Sequence, residues 1–246
     1  MKKVFAFVVL HVALALSAIA GNPVSGEKKD NYQYLRDIPY TAVNEDDAYR
    51  KERCRLDIYY PENVKEFKTL VWFHGGGLEG GSKGLREEFR NQGFAVVDVN
   101  YRLYPKVKCP GYLEDAALAV SWVFNNIAQY GGSPSKIFIG GHSAGGWLTL
   151  MLTLDKRWLA EYGIDADRIA KAYPVGGQTM THFTLVQRQT VYYPPPAAFY
   201  SSCVSTFSFP SLIFIFSTYF LTSSFIILIC SSLKFKNRKF IIIINY

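Results

Sequence analysis

What the sequence lacks narrows the classes of protein to consider. Four cysteines among 246 residues are too few for a disulfide scaffold, and no C-x-x-C pair or cluster of histidine and cysteine suggests a metal. Ordinary counts of glycine (19) and proline (11) exclude a collagen-like or wholly disordered chain. We therefore expect a globular protein without a metal or cofactor, long enough for one α/β domain or two small ones. Spacing alone leaves open whether Cys54 and Cys109 pair.

Acidic residues are missing from the last third of the chain. The last of the 20 acids is Asp167, and the formal net charge is +7. Two of the 27 basic residues lie near the start and five lie beyond residue 185, which leaves residues 21–185 with 20 basic and 20 acidic side chains. Because this globular part is neutral, we expect no nucleic-acid partner.

The first 20 residues have the pattern of a secretory signal peptide. Lys2 and Lys3 precede an apolar stretch over 4–16, and Ala18-Ile19-Ala20 fits a cleavage site. A membrane-anchoring helix is the alternative, but the apolar run is short for a bilayer. We therefore expect residues 1–20 to be removed and the mature protein to be secreted or periplasmic.

The composition changes near residue 185. Residues 204–246 contain no acid and no glycine, and the uncharged stretch 209–230 is long enough to cross a bilayer. Basic residues follow it, as expected of a membrane anchor with a cytoplasmic end. The other interpretation is translated A/T-rich non-coding sequence, since Phe, Ile, Lys, Asn and Tyr all have codons made only of A and T. We favour the second, and expect residues 186–246 to be an unrelated hydrophobic tail.

Between these ends, short β-prone runs alternate with longer stretches of helical period. The pattern predicts strands over 55–60, 69–73, 94–101, 136–139 and 172–175, and helices over 112–130 and 145–154. This alternation predicts a parallel sheet flanked by helices on both faces. The strand at 55–60 is expected to be half-exposed, and the polar residues 22–52 to form an arm over the surface.

A G-x-S-x-G motif lies between a predicted strand and a predicted helix, at residues 141–145. A sharp strand-to-helix turn of this kind holds Ser143 in strained backbone geometry and lifts its hydroxyl clear of the sheet. Side chains at Gly141 and Gly145 would collide there with neighbouring backbone. The helix start adds partial positive charge, which favours a developing oxyanion.

A second glycine-rich segment, His74-Gly75-Gly76-Gly77, directly follows the predicted strand 69–73. Consecutive glycines let backbone N–H groups approach a negatively charged oxygen closely. With the serine motif downstream, this predicts an oxyanion hole in which Gly76 and Gly77 supply N–H groups beside that of Ala144. His74 is expected to hold the segment in shape through backbone hydrogen bonds.

The same glycines also match a dinucleotide-binding fingerprint. Gly75, Gly77 and Gly80 have the G-x-G-x-x-G spacing, and Asp98 lies 18 residues farther on, where a ribose-binding acid is found. Residues 79–84 show no apolar helical period, however, so no helix is predicted there to hold a pyrophosphate. A dinucleotide-binding protein also leaves the serine motif unexplained, and it stays an alternative.

Together these motifs resemble the α/β-hydrolases, in particular secreted esterases and lipases related to hormone-sensitive lipase and to bacterial feruloyl or acetyl-xylan esterases. The resemblance covers about residues 50–185 and is carried by VWFHGGGLEGG, AVVDVNYRL, GYLEDAALAVSWVFNNIAQYGG and KIFIGGHSAGGWLTLML. It implies an α/β-hydrolase fold and hydrolysis of a small-molecule or carbohydrate-linked carboxylic ester. It also implies that Ser143 is the nucleophile and that Gly76, Gly77 and Ala144 line the oxyanion hole.

The family's order of Ser, then Asp or Glu, then His is not completed in this sequence. The last acid, Asp167, comes only 24 residues after Ser143, and the one later histidine, His182, has no acid beyond it. We therefore expect the domain over 21–185 to be incomplete at its C-terminal end and the chain to be inactive or nearly so. A membrane-tethered, non-catalytic binding module is the alternative function.

Overall fold

A computed structural model of the chain describes residues 31–177, together with the backbone of residues 233–235 and 238–240. The predictions made for the leader, for His182 and for the membrane segment at 209–230 lie outside the described residues. Within the described part, no helix is long and apolar enough to cross a membrane.

The described residues form one eight-stranded sheet with four α-helices. The strands are β1 (Tyr32–Pro39), β2 (Arg55–Pro61), β3 (Phe67–Phe73), β4 (Ala95–Val99), β5 (Gly132–His142), β6 (Lys171–Val175), β7 (Leu233–Phe235) and β8 (Arg238–Phe240). The helices are α1 (Ala48–Arg53), α2 (Gly111–Asn126), α3 (Ala144–Leu154) and α4 (Arg157–Ala160), with 3-10 turns at Glu87–Phe89, Ile127–Tyr130 and Ala166–Arg168. The order across the sheet is β1-β2-β4-β3-β5-β6-β8-β7.

The predicted parallel sheet is confirmed for its centre, where β4, β3, β5 and β6 run in the same direction. Strand β2 makes the sheet mixed, because it pairs antiparallel to β4 with Leu56 opposite Val99. The prediction that this strand is half-exposed is wrong: Leu56 to Tyr59 are all buried. The reason is that both faces of β2 are covered. Leu56 and Ile58 pack in the hydrophobic core, and on the other face Asp57 and Tyr59 bond to Lys83 and Asn91.

The polar arm predicted over residues 22–52 is also wrong for the part that the structure describes. Residues 32–39 form the edge strand β1, with Gln33 opposite Tyr60 of β2. Helix α1 follows, and the Asp47 carboxylate caps it by accepting from the backbone N–H groups of Tyr49 and Arg50 at 2.9 and 3.1 Å. Polar residues suit both elements because they lie at the rim of the sheet.

Two hydrophobic clusters lie on opposite faces of the central strands. Successive residues of β3 alternate between them, as the two-residue period of a strand requires: Val71 and Phe73 pack with α2 and α3, whereas Leu70 and Trp72 face the other way. Because β3 and β5 are parallel neighbours, with Phe73 opposite Gly141, their carboxyl ends meet at one edge of the sheet. That edge is where both glycine motifs begin.

Candidate active site

Ser143 lies between β5 and α3 with φ 54° and ψ −114°, a region that non-glycine residues rarely occupy. The backbone around it is tied on both sides: its N–H donates to the carbonyl of Val175 at 2.8 Å, and its carbonyl accepts from the N–H of Trp147 at 3.0 Å. The strand–turn–helix context predicted for the serine motif is therefore present, and it holds Ser143 in a strained conformation.

The two glycines that flank Ser143 are required by close backbone packing. A Cβ on Gly145 would lie 2.1 Å from the carbonyl oxygen of Phe73, and one on Gly141 would lie 2.4 Å from the carbonyl carbon of Gly145. Both distances are too short for any side chain. The serine turn thus rests directly on the end of β3, which places it beside the residues that follow that strand.

The glycine segment, residues 74–81, contacts the serine turn at Gly75. A Cβ on Gly75 would lie 3.3 Å from the Cβ of Ser143 and 2.9 Å from the carbonyl oxygen of His142. The structure therefore brings together the two motifs that the sequence separates by more than sixty residues.

Beyond Gly75 the glycine segment turns back on itself. Gly76 and Gly77 have φ values of 118° and 65°, which glycine adopts at no steric cost. The carbonyl of Gly76 accepts from the N–H groups of Glu79 and Gly80 at 3.1 and 3.0 Å. A Cβ on Gly77 would meet no atom within 4 Å, so the chain borders open space there.

His74 holds this segment through backbone contacts, as predicted. Its Nδ1–H donates to the carbonyl of Gly75 at 2.7 Å, and its ring stacks on Tyr101 with 4.4 Å between the centroids. The Tyr101 hydroxyl donates to the carbonyl of His74 at 2.8 Å. Burial lowers the pKa of His74 to about 4, with the nearby charges of Arg53 and Arg86 acting in the same direction. The ring is therefore neutral at pH 7.

His142 packs against the glycine segment. Its Nδ1 lies 3.0 Å from the place a Cβ on Gly75 would occupy. Burial lowers its pKa, and the charge of Arg86 adds to that effect. Its position agrees with the prediction of a spacer residue within the turn.

Asp98, the acid needed for dinucleotide binding, is only 3% exposed on β4, beside Asp57 of the neighbouring β2. Burial raises its pKa to about 7. A carboxyl inside the sheet cannot bind a ribose, and within residues 79–86 the structure has no helix to hold a pyrophosphate. The dinucleotide-binding alternative therefore lacks both of its structural requirements.

Two residues beside the site were missed by the sequence predictions, Arg53 and Tyr101. Arg53 donates to the backbone carbonyls of Tyr101 and Gly81, which lie 48 and 28 residues away in the sequence. No local pattern could have identified contacts over such separations.

Between residues 31 and 177, no disulfide joins Cys54 to Cys109, which the spacing had left open. The same range contains no group of three or more histidine, cysteine, aspartate or glutamate side chains able to hold a metal ion.

Comparisons with known proteins point to esterases. Residues 56–173 match the family model described as BD-FAE. Acetylcholinesterase 4 from Caenorhabditis briggsae is 35% identical over 119 residues, which cover 43% of this chain and 19% of the relative. Carboxylesterase NlhH from Mycobacterium tuberculosis (strain ATCC 25618 / H37Rv) is 33% identical over 132 residues, covering 51% of this chain and 36% of the relative. A solved structure titled bacterial heroin esterase superposes with a TM-score of 0.48 at 22% identity, covering 78% of this chain and 59% of that chain.

The chain thus spans no more than 36% of the length of these curated relatives. The BD-FAE match covers strands β3 to β5 and both glycine motifs. Over residues 56–173 the chain is therefore similar to the BD-FAE family and to curated esterases and carboxylesterases.

Proposed function

We propose that the chain derives from a carboxylic-ester hydrolase in which Ser143 is the nucleophile and the N–H groups of Gly76, Gly77 and Ala144 form the oxyanion hole. The observation that carries this proposal is the contact between the two motifs: a Cβ on Gly75 would lie 3.3 Å from the Cβ of Ser143. The esterase names of the relatives support an ester as the substrate class, and we extend the proposal to a small-molecule or carbohydrate-linked ester on the resemblance given by the sequence motifs.

In the proposed reaction, the Ser143 hydroxyl oxygen attacks the ester carbonyl carbon and loses its proton to a base. The negative charge that develops on the carbonyl oxygen is stabilised by the backbone N–H groups and by the start of α3. Collapse of the tetrahedral adduct breaks the bond to the alcohol and leaves an acyl group on Ser143. Water then attacks this acyl-serine and releases the carboxylic acid.

The proposed reaction needs a general base that accepts the proton of Ser143, and neither His74 nor His182 is shown in that role. His74 is unsuited to the role, because its Nδ1–H is bonded to Gly75 and its Nε2 faces the Arg53 guanidinium at 3.5 Å. We therefore propose that turnover is very weak, about 10⁴- to 10⁶-fold below that of a complete triad. His182, the other candidate considered from the sequence, lies outside the described residues.

Hydrolysis of p-nitrophenyl butyrate by the purified full chain, followed by mass spectrometry of the acylated peptide, tests this proposal. Wild type is expected to show slow release of nitrophenol and an acyl group on Ser143. Ser143→Ala should lose both, whereas Ser135→Ala, which removes an exposed serine elsewhere, should lose neither.

Equal rates for wild type and Ser143→Ala, or acylation at another residue, would contradict the proposed nucleophile. Rapid turnover that Ser143→Ala abolishes would support the nucleophile but contradict the proposed weakness of this chain.

We propose further that the protein is exported, on the strength of the leader pattern in residues 1–20. Expression in a secreting host and N-terminal sequencing of the product test this, with a mature start near Gly21 expected. Retention in membranes after carbonate washing would instead favour an anchor at 209–230.

A further inference from the structure

Arg53, at the end of α1, connects two segments that lie far apart in the sequence. Its Nε donates to the carbonyl of Tyr101 at 3.1 Å, and its Nη2 donates to the carbonyl of Gly81, also at 3.1 Å. The same Nη2 lies 3.5 Å from Nε2 of His74. The half-buried guanidinium of Arg53 therefore contacts His74 and Gly81, the two ends of the glycine segment. It also contacts Tyr101, whose ring stacks on that of His74.

The contact with Gly81 is transmitted to the serine turn through backbone packing. Gly81 has φ 98°, and a Cβ there would lie 2.3 Å from the carbonyl oxygen of Gly75. Gly75 in turn touches Ser143. The same Cβ on Gly81 would also lie 2.4 Å from Nδ1 of His74, so a shift of Gly81 is expected to move both His74 and Gly75.

Tyr101 fixes the start of the segment while Arg53 fixes its end. The Tyr101 hydroxyl donates to the carbonyl of His74 at 2.8 Å, and the carbonyl of Tyr101 accepts from Arg53. Arg53, His74 and Tyr101 thus form a closed set of contacts around the glycine segment, which we name the clamp.

We propose that Arg53 is a positioning residue for the oxyanion hole: through the clamp it sets where the N–H groups of Gly76 and Gly77 lie relative to Ser143. This inference rests on the proposed function for its catalytic consequence, but its structural part, the fixing of residues 75–81, stands without it.

A planar guanidinium suits this role better than an ammonium group does. Its N–H groups point in fixed directions within one plane, so a single side chain reaches the carbonyls of Tyr101 and Gly81 at once. Lysine would keep the charge but bond as a point donor, and it is expected to hold only one of the two carbonyls.

The chain offers a matched control two residues away. Arg55 also donates to two backbone carbonyls, those of Lys51 and Asp37 at 3.0 and 2.9 Å, but it does not contact the glycine segment. Arg53→Met and Arg55→Met therefore remove the same charge and the same number of backbone contacts. Arg53→Lys tests the need for the planar fork.

Amide hydrogen exchange of the full chain is the first measurement. In Arg53→Met we expect the protected amides of Glu79 and Gly80 to exchange at least about tenfold faster than in wild type, because the turn they close opens more often. Arg55→Met should leave them unchanged, and Arg53→Lys should fall between. An NMR titration should also show a higher pKa for His74 in Arg53→Met, since the charge of Arg53 helps to lower it.

Ester hydrolysis is the second measurement, scored by separate kcat and KM values. A displaced oxyanion donor weakens binding of the transition state more than that of the ester, so Arg53→Met should lower kcat by about 10- to 100-fold with KM nearly unchanged. Arg55→Met should match wild type.

Unchanged exchange at Glu79 and Gly80 in Arg53→Met, or equal effects of Arg53→Met and Arg55→Met, would overturn the proposal. If Arg53→Met fails to fold, amide exchange at Glu79 and Gly80 is measured in Arg53→Lys instead. Exchange at the wild-type rate in Arg53→Lys would contradict the proposal that a planar guanidinium is needed. A wild type no faster than Ser143→Ala would remove the esterase function alone, because the exchange result still tests the clamp.

Discussion

The serine turn and the glycine segment touch each other, yet they are held by different kinds of contact. The turn is fixed by backbone against backbone: a Cβ on Gly145 would lie 2.1 Å from the carbonyl oxygen of Phe73. The glycine segment also packs backbone on backbone, since a Cβ on Gly76 would lie 2.2 Å from the carbonyl oxygen of Gly80, but side chains from elsewhere in the chain, chiefly Arg53 and Tyr101, hold its two ends by hydrogen bonds. The two halves of the site therefore differ in one respect: the glycine segment depends on hydrogen bonds from distant side chains in addition to its backbone packing.

This difference has a consequence for how the two halves respond to pH. The backbone packing that holds the serine turn carries no titratable group, and burial lowers the pKa of His142 within the turn, so the turn should change little with pH above 7. The glycine segment continues into residues 82–86, where the N–H of Gly84 bonds to the buried Asp98 carboxyl and the Lys83 ammonium bonds to Asp57 at 2.6 Å. The geometry of residues 82–86, directly after the glycine segment, therefore depends on charges.

The largest effect is expected from Gly145→Ala. Because the added methyl group collides with the backbone of β3, which cannot move without disturbing the sheet, we expect a loss of more than about 3 kcal/mol in the free energy of unfolding, or no folded protein. Gly163→Ala is the control, since Gly163 has φ 71° and open space around its Cβ position. Urea denaturation measures both, and similar losses would contradict the steric account of the turn.

The next effect concerns Asp98→Asn and depends on pH. The pKa of Asp98 is raised from 3.8 to about 7 by burial, so the folded state binds this proton more tightly than the unfolded state does. The stabilising contribution of Asp98 is complete below about pH 4 and is lost as the pH rises through 7. The variant should therefore match wild type at pH 4 and exceed it by a few kcal/mol at pH 8.

Urea denaturation at several pH values checks this, with Gly163→Ala as the control whose difference from wild type should not change with pH. A constant difference for Asp98→Asn would show that the buried carboxyl does not make the region behind the glycine segment pH-sensitive.

A smaller effect is expected from Tyr101→Phe, which keeps the ring stacked on His74 but leaves the carbonyl of His74 without its donor. The expected loss is about 1 to 2 kcal/mol in the free energy of unfolding. Tyr173→Phe is the matched control, because the hydroxyl of Tyr173 is buried with no hydrogen-bond partner among the described residues. Its removal should be neutral or stabilising, and equal losses in the two variants would argue against the clamp.

The smallest effect is expected from Gly77→Ala. The new methyl group meets no atom within 4 Å, so only the φ of 65° opposes it, at a cost of about 1 kcal/mol. Thermal unfolding measures this beside Gly145→Ala. A loss as large as that of Gly145→Ala would contradict the open space beside Gly77, where a Cβ meets no atom within 4 Å.

Most of the central sheet could be predicted from the sequence. The runs at 69–73, 94–101 and 172–175 are strands, and both predicted helices are present because apolar spacing and glycine stops are local signals. The edge strand β1 was missed because YQYLRDIP has no regular two-residue period and its polar residues suggested a surface arm. Pairing with β2, a tertiary contact, decides that it is a strand.

The candidate site, like the sheet, could be predicted from the sequence only in part. The positions of Ser143 and the glycines followed from two short motifs, since each motif fixes its own turn. The contact between Gly75 and Ser143 required β3 and β5 to be neighbours, which no local pattern specifies. No local sequence pattern indicated the role of Arg53, because its hydrogen-bond partners lie far from it along the chain.

By itself the sequence determined the alternation of strands and helices, the two turns and their chemistry, because propensity, apolar period and glycine content act over a few residues. The paired motifs also predicted that the two turns meet, but only the tertiary structure decided how they pack, which carboxyl is buried and which side chains hold the glycine segment. Those features depend on strand order and on contacts between distant residues, and such contacts leave no mark on neighbouring positions in the chain.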